Sequence, residues 1–231
     1  MLLGPLCYRH DIDQMKGDIL APYIVERVEL ELDEDEAIAY EENREIYKTF
    51  LRDNSINFSS GDGWARFMYM VARQPDGKQA FKSYMEQRRI ARSGRAKLRT
   101  IWELILKHAG ARIIVFTADN ETAYEIGRTF FLPVLTHHTK LAERKEMLTM
   151  FRSGDYPILV TSKVLNEGVD VPEASIGIIV SGSGSIREHV QRLGRILRKS
   201  SGKQAILYEL VSQGTSEYYV SERRREHRAY K

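Results

Sequence analysis

The chain has 231 residues, with 35 Lys and Arg against 32 Asp and Glu and a net charge of +3. That is enough for one or two domains with a substantial core. At 42% hydrophobic and 29% charged residues it has ordinary globular composition. No apolar run approaches the roughly 20 residues that cross a bilayer, and the opening MLLGPLCYRHD turns polar too soon for a secretory signal. Cys7 is the only cysteine, which excludes an internal disulfide and a cysteine-based metal cluster. A reducing, cytoplasmic setting is expected, or a nuclear one in a eukaryote.

Residues 1–23 show little periodicity and read as a connector punctuated at Gly4-Pro5 and Ala21-Pro22. IVERVELEL, 24–32, alternates apolar and acidic residues as a strand with one wet face does. The acids Asp33 to Glu36 superficially resemble a magnesium-holding box. Asp33 and Glu36, three apart ahead of the helical AIAYEENREIYKTFL, instead predict a capping box with acids at the helix's positive end. Residues 40–99 are helical in pattern, broken at NSINFSSGDG and QPDG. Their aromatics Tyr47, Phe50, Phe58, Trp64, Phe67, Tyr69, Phe81 and Tyr84 lie among basic residues, a mixture suited to gripping nucleic acid, although most should form the module's own core. The block RRIARSGRAKLR, 88–99, carries Arg88, Arg89, Arg92 and Arg95; with the tail ERRREHRAYK it favours a polyanionic partner more than the small net charge implies.

From Ala111 the pattern alternates. ARIIVF reads as a strand, a helix runs from about Asn120 to Phe130, PVLTH is a short strand, and LAERKEMLTMF is a helix stopped at SGDYP. PILVT, SIGIIVS and AILYELV complete the strands. Apolar strands separated by helices predict a parallel α/β sheet covered on both faces. Ligands of such sheets gather beyond the carboxyl ends of the strands, where Thr117, His137 to Thr139, Thr161 and the glycine loop 182–185 fall. QRLGRILR, 191–198, then places Arg195 and Arg198 three apart on one helical face, where two guanidiniums can reach one phosphate. Glycine loop GSGS alone is too weak to indicate another class of nucleotide enzyme.

Four motifs occur in order: IIVFTADN at 113–120, LVTSKVLNEGVDVPEA at 159–174, SGSGS at 181–185 and QRLGRILR at 191–198. The chain resembles the second RecA-like motor domain of superfamily 2 helicases. More closely, it is similar to the carboxyl-terminal half of archaeal XPB-type DNA repair helicases (xeroderma pigmentosum group B). The resemblance runs from Leu3 and is strongest over 111–211. It implies a connector at 1–23 from a first motor domain, the RecA-like domain over 24–39 and 93–231, and an inserted helical thumb at 40–92. It also implies arginine fingers at Arg195 and Arg198, and a nucleotide or water contact at Gln191. Gly168, Asp170 and Arg192 would lie on the nucleotide side, Asp170 near the ribose and Arg192 tying the domains. Thr117, His137, Thr139 and Thr161 would hold the phosphates of one DNA strand. The resemblance assigns no individual contacts to the insertion; it is the clustering of Arg88, Arg89, Arg92 and Arg95 within 40–99 that predicts sequence-independent DNA affinity there.

The sequence contains no G-x-x-x-x-G-K-[ST] loop and no acidic box ending an apolar strand. ATP and Mg2+ are therefore expected to be held mainly by a first motor domain, with Met1 a boundary and the chain alone inactive. The resemblance implies 3′ to 5′ movement in nucleotide excision repair or transcription, with DNA and a nuclease or repair-complex subunit as partners and no membrane. The alternative is a stand-alone module that binds nucleic acid or protein without turnover.

Overall fold

The computed structural model describes residues 23–59, 61–162, 174–181 and 205–225. The first strand, β1 (Tyr23–Leu30), leads into four helices, α1 (Glu34–Asp53), α2 (Gly63–Arg73), α3 (Gly77–Ser93) and α4 (Arg95–Lys107). There follow β2 (Ile113–Phe116), α5 (Asn120–Phe130), β3 (Val134–Leu135), α6 (Leu141–Ser153) and β4 (Ile158–Thr161). Strands β5 (Ile176–Ile179) and β6 (Ala205–Ser212) and helix α7 (Ser216–Arg225) complete the described elements.

Six strands form one parallel sheet in the order β1-β6-β5-β2-β4-β3. The central strands are apolar throughout because both faces are covered. Ile114 and Phe116 of β2 point to one face, where they pack with Leu148 and Phe151 of α6. Ile113 and Val115 point to the other, against Ile101 and Ile105 of α4 and Ala123 and Ile126 of α5. The chain moves outward from β2 to β3 through α5 and back to β4 through α6, so a right-handed crossover requires these helices on opposite faces. Strand β1 pairs only with β6 at the sheet's edge. Val25 packs on one face and Val28 and Leu30 on the other, while Ile24, Glu26 and Glu29 are exposed, so the single wet face expected from its alternation is not found. Gly154 ends α6 at φ 92°, a left-handed position that glycine adopts without a Cβ penalty.

The helices between β1 and β2 form two packed layers. Phe50, Ile56, Phe67 and Ala80 make a cluster of their own, bordered by Tyr47, Phe81 and Tyr84. A second cluster of Tyr40, Ile90 and Ala91, with Leu32 and Ala39, lies at the opposite ends of α1 and α3. Both helices therefore run unbroken from the sheet into the projecting module, crossing positions 40 and 92 without a linker. As expected, most of the module's aromatics pack inward, while Phe58, Trp64 and Tyr69 stay exposed.

The capping-box expectation at 33–36 needs correction. Asp33 does stand at the N-cap of α1, but its carboxylate makes no cap hydrogen bond. It accepts from the Arg99 guanidinium at 2.7 and 3.1 Å, which holds its pKa below the ordinary carboxylate value. Glu36 accepts the backbone N–H of Arg95 at 3.2 Å and so caps α4 rather than α1. Two guanidiniums from α4 outcompete the local turn, because a charge-assisted bond is roughly twice as strong as a neutral one.

Lys97 of α4 is 1% exposed. Its ammonium donates to the Val180 carbonyl at 2.6 Å and pairs with Glu217 of α7, itself buried. Breaking a buried pair leaves an uncompensated charge, so Lys97→Met should cost about 3–5 kcal/mol of stability. Lys97→Met/Glu217→Leu should recover most of that loss, and urea unfolding of the three proteins compares them directly. No helix among the described residues is long and apolar enough to cross a membrane.

Candidate nucleic-acid interface

Because the strands are parallel, their carboxyl ends share one edge of the sheet, and backbone hydrogen bonds fasten these ends to one another. Thr117 N–H donates to the Thr161 carbonyl at 2.9 Å, Val180 N–H to Phe116 at 2.9 Å, and Ser162 N–H to Leu135 at 3.4 Å. Ala118 N–H donates to the Ser181 hydroxyl at 3.0 Å. The edge therefore gathers Thr117, the loop 136–139, Thr161 and Ser181, as the sequence expectation requires.

The two threonines do not present free hydroxyls there. Thr117 is fully buried, and its hydroxyl donates to the Asp119 carbonyl at 2.8 Å. Thr161 is also buried, its hydroxyl donating to the Ser162 carbonyl at 3.2 Å. Both shape the turns that leave their strands. The outward groups come from the next loop. His137 is exposed beside Asn120, with Nδ1 3.1 Å from the Asn120 amide nitrogen, and His138 lies against it with ring centroids 3.8 Å apart. Thr139 holds the loop closed: its hydroxyl accepts from Thr136 N–H at 2.9 Å, and its own N–H donates to the Thr136 carbonyl at 3.1 Å. Thr136, buried and bonded to the Tyr124 hydroxyl at 2.8 Å, is an organising residue that the sequence reading missed.

The basic block divides in two. Arg88, Arg89 and Arg92, on the last turns of α3, line with Tyr84 and Met85 one wall of a pocket of about 430 Å³, with Asp119, Glu121 and Glu125 at the start of α5 opposite and Trp64 of α2 beside them. Arg92 pairs with Asp119. Arg89 makes two bonds to Glu86, at 2.8 and 3.1 Å, and lies 3.9 Å from Glu125. Glu86 raises the pKa of Arg89 and is itself held below the usual carboxylate value. Arg88 bonds the Tyr84 hydroxyl and lies over that ring at 4.9 Å. Its pKa is pushed down, first by burial and then by the neighbouring Arg92. Arg95 sits apart, beyond the Gly94 break, among Asp33, Asp35 and Glu36.

Asp119 was also missed, although an acid immediately before the helical residues 120–130 is an N-cap signature. Its carboxylate accepts Thr122 N–H at 2.9 Å and binds Arg92 as well, joining the insertion to the strand-end motif. Gly168, Asp170, the loop 182–185, Gln191, Arg192, Arg195 and Arg198 lie outside the described residues.

Comparison with known proteins places this arrangement. The profile of the ERCC3/RAD25/XPB C-terminal helicase family matches residues 79–229. A protein of Sulfurisphaera tokodaii named DNA 3′-5′ translocase XPB2 is 37% identical over 98% of this chain and 51% of its own length. The DNA 3′-5′ helicase XPB of Mycobacterium tuberculosis is 36% identical over 61% of this chain and 26% of its own. The chain thus spans about half the length, or less, of these curated relatives. Among solved structures, the C-terminal part of the Fun30 ATPase domain superposes with a TM-score of 0.62 at 11% identity, covering 88% of this chain and 89% of that one. The Pyrococcus furiosus Hef helicase domain gives 0.62 at 18%, covering 89% and 58%. At those identities the likeness shows the fold, a RecA-like parallel sheet covered by helices. With the profile spanning well over half of the residues and the motif-bearing strands on one edge of that sheet, the chain belongs to the ERCC3/RAD25/XPB C-terminal helicase family.

Proposed function

We propose that the chain is the second motor half of an ATP-dependent, 3′ to 5′ DNA helicase of repair or transcription, with 40–92 as a thumb leaning over the DNA. The observation that carries this reading is the family match over 79–229 on a sheet whose carboxyl edge collects Thr117, the 136–139 loop and Thr161. The names of relatives support the pathway: one from Antonospora locustae, 39% identical over 57% of this chain, is a general transcription and DNA repair factor IIH helicase/translocase subunit XPB.

In this reading Thr117 and Thr161 set the strand-end turns, and backbone amides with His137 and Thr139 meet the phosphates of one strand, contacts that are independent of sequence. Gly168, Asp170, Gln191 and Arg192 face the nucleotide, which supplies the phosphoryl group whose hydrolysis drives movement. Arg195 and Arg198 stabilise charge developing on that group. The phosphate loop and magnesium acids belong to a first motor domain, the chain's partner together with DNA and a nuclease or repair-complex subunit.

Three outcomes test this. The chain alone should hydrolyse no ATP, whereas its fusion to a first motor domain should do so with DNA stimulation; turnover by the isolated chain would overturn the half-enzyme reading. In that fusion, Arg195→Ala or Arg198→Ala should lower turnover by roughly 10³ to 10⁵ while sparing DNA affinity. Near-normal hydrolysis in both variants would remove the finger assignment. Neutralising Arg88, Arg89, Arg92 and Arg95 together should weaken DNA binding for all sequences and flatten its salt dependence, by about 0.9 in log–log slope for each phosphate no longer neutralised. Arg95, already surrounded by three carboxylates, should contribute least, and an unchanged slope would take all four off the interface.

A further inference from the structure

A second cleft adjoins the first, between α1, α3 and the start of α7, with Tyr84, Arg88 and Arg92 lining both. It measures about 320 Å³ and is lined by Arg44, Tyr47, Gln87, Arg88, Arg92 and Ser216, among others. Three guanidiniums converge on it, yet carboxylates account for only one of them. Arg92 is taken by Asp119, and the cleft's own acid, Glu217, is taken by Lys97. Among the described residues Arg44 has only Tyr40, whose hydroxyl it bonds at 3.1 Å. Arg88 bonds Tyr84 and makes no ion pair, although the Asp119 carboxylate held by Arg92 acts on it through space. Half-buried cations without a counter-charge are costly, because desolvation disfavours the charged form. The depressed pKa of Arg88 has that cause.

Gln87 gives an independent indication. It lines the cleft, is 5% exposed, and among the described residues its amide has no hydrogen-bond partner. An amide that meets only the cleft takes its hydrogen bonds from whatever fills that cleft, water or ligand. Tyr47 adds a hydroxyl, kept protonated by a pKa pushed up to about 12 through burial and so able to donate. The positive end of the ten-residue α7 borders the same space at Ser216. Planar guanidinium forks, an amide and a phenol around a small volume match the oxygens of a phosphate.

We propose that the cleft between α1, α3 and the start of α7 is a phosphate-binding site in which Arg44 and Arg88 supply the charge and Gln87 and Tyr47 the neutral donors. The chemistry fits either a backbone phosphodiester of DNA or the phosphates of a free ligand. It shares Arg88 with the proposed DNA interface, but Arg44, Gln87 and Tyr47 belong to the cleft alone, so their variants test it independently of the motor reading.

The probe is inorganic pyrophosphate titrated calorimetrically into the 231-residue chain. Wild type should bind it saturably, with affinity lowered at least ten-fold in Arg44→Gln and in Gln87→Leu. Arg73→Gln, whose guanidinium lies over Tyr69 outside the cleft, should bind as wild type does. Gln87→Leu changes no charge, so a merely diffuse positive surface would not register it. Tyr47→Phe removes a single hydroxyl and should give a smaller loss, keeping the test decisive if Gln87→Leu fails to fold. A parallel titration with a short DNA duplex distinguishes the source. Affinity that falls in the same variants identifies a backbone phosphodiester, and affinity that holds identifies a free phosphorylated ligand. Absent pyrophosphate binding, or binding unaltered in Arg44→Gln and Tyr47→Phe, overturns the site.

Discussion

The placement of both the insertion and the sheet's carboxyl edge depends on one buried ammonium. Lys97 lies in α4, directly after the helix that carries the insertion, and it reaches the last carbonyl of the β5 strand region and the first turn of α7. A charge with so little water around it tolerates no sliding, because every displacement exchanges a strong bond for an unsolvated group. The neighbouring ties are neutral and weaker alone. Ser212 hydroxyl donates to the Ala91 carbonyl at 2.9 Å, and Ser216 N–H donates to the Tyr40 hydroxyl at 2.8 Å. They act on the register that Lys97 fixes, so the roots of α1 and α3 and the ends of β5 and β6 behave as one block.

Electrostatics within the insertion follow a different logic. A run such as RRIARSGR looks like a comb of free positive charge, yet the folded chain pairs most of it internally. Arg89 goes to Glu86, Arg92 to Asp119, and Arg95 to the acids ahead of α1. Paired guanidiniums are held in fixed rotamers, so their remaining donors are preorganised towards whatever occupies the adjoining pockets. They also contribute less long-range attraction than their number implies, since each carries its own anion. Arg44 makes no ion pair among the described residues and Arg88 feels Asp119 only through space, so their charge is the least neutralised of the cleft's guanidiniums.

Much of the fold was legible because the signals were periodic. Every strand and helix expected from Ala111 onward within the described residues was found, with ends within a few residues of those read from the pattern. The continuous apolar runs identified buried parallel strands, whereas the alternation of the edge strand identified a strand but not its faces, since Val25 and Val28 pack on opposite sides of the sheet. The site was legible only in outline. Residues following apolar strands had to lie on one edge, and Thr117, His137, Thr139 and Thr161 do. Whether a hydroxyl points out or in depends on the turn it closes, however, and spacing does not encode that. Asp33 and Glu36 show the same limit: a local capping motif was overridden by arginines about 60 residues away in sequence. Gln87 and Arg44 were invisible for a related reason, since their significance lies in the partners that tertiary structure withholds.

The unbroken passage of α3 from one small core to another restricts how the insertion can change in evolution. Phe81 and Tyr84 belong to the outer cluster and Ile90 and Ala91 to the inner one, on the same rigid helix. A single residue added between them would swing the outer cluster by about 100° around the helix axis. Gly94, immediately beyond, leaves no slack, because a Cβ there would sit 2.8 Å from the Ile90 carbonyl. Variation in this stretch is therefore confined to near-whole turns, or to substitutions that keep its length. The connections after α1 and after α2 lie at the far end of the module and are not geared to the sheet. Length is held there by contacts of its own instead, since Ile56 belongs to the outer cluster and a Cβ on Gly63 or Gly77 would meet a backbone carbonyl at 2.5 or 2.2 Å.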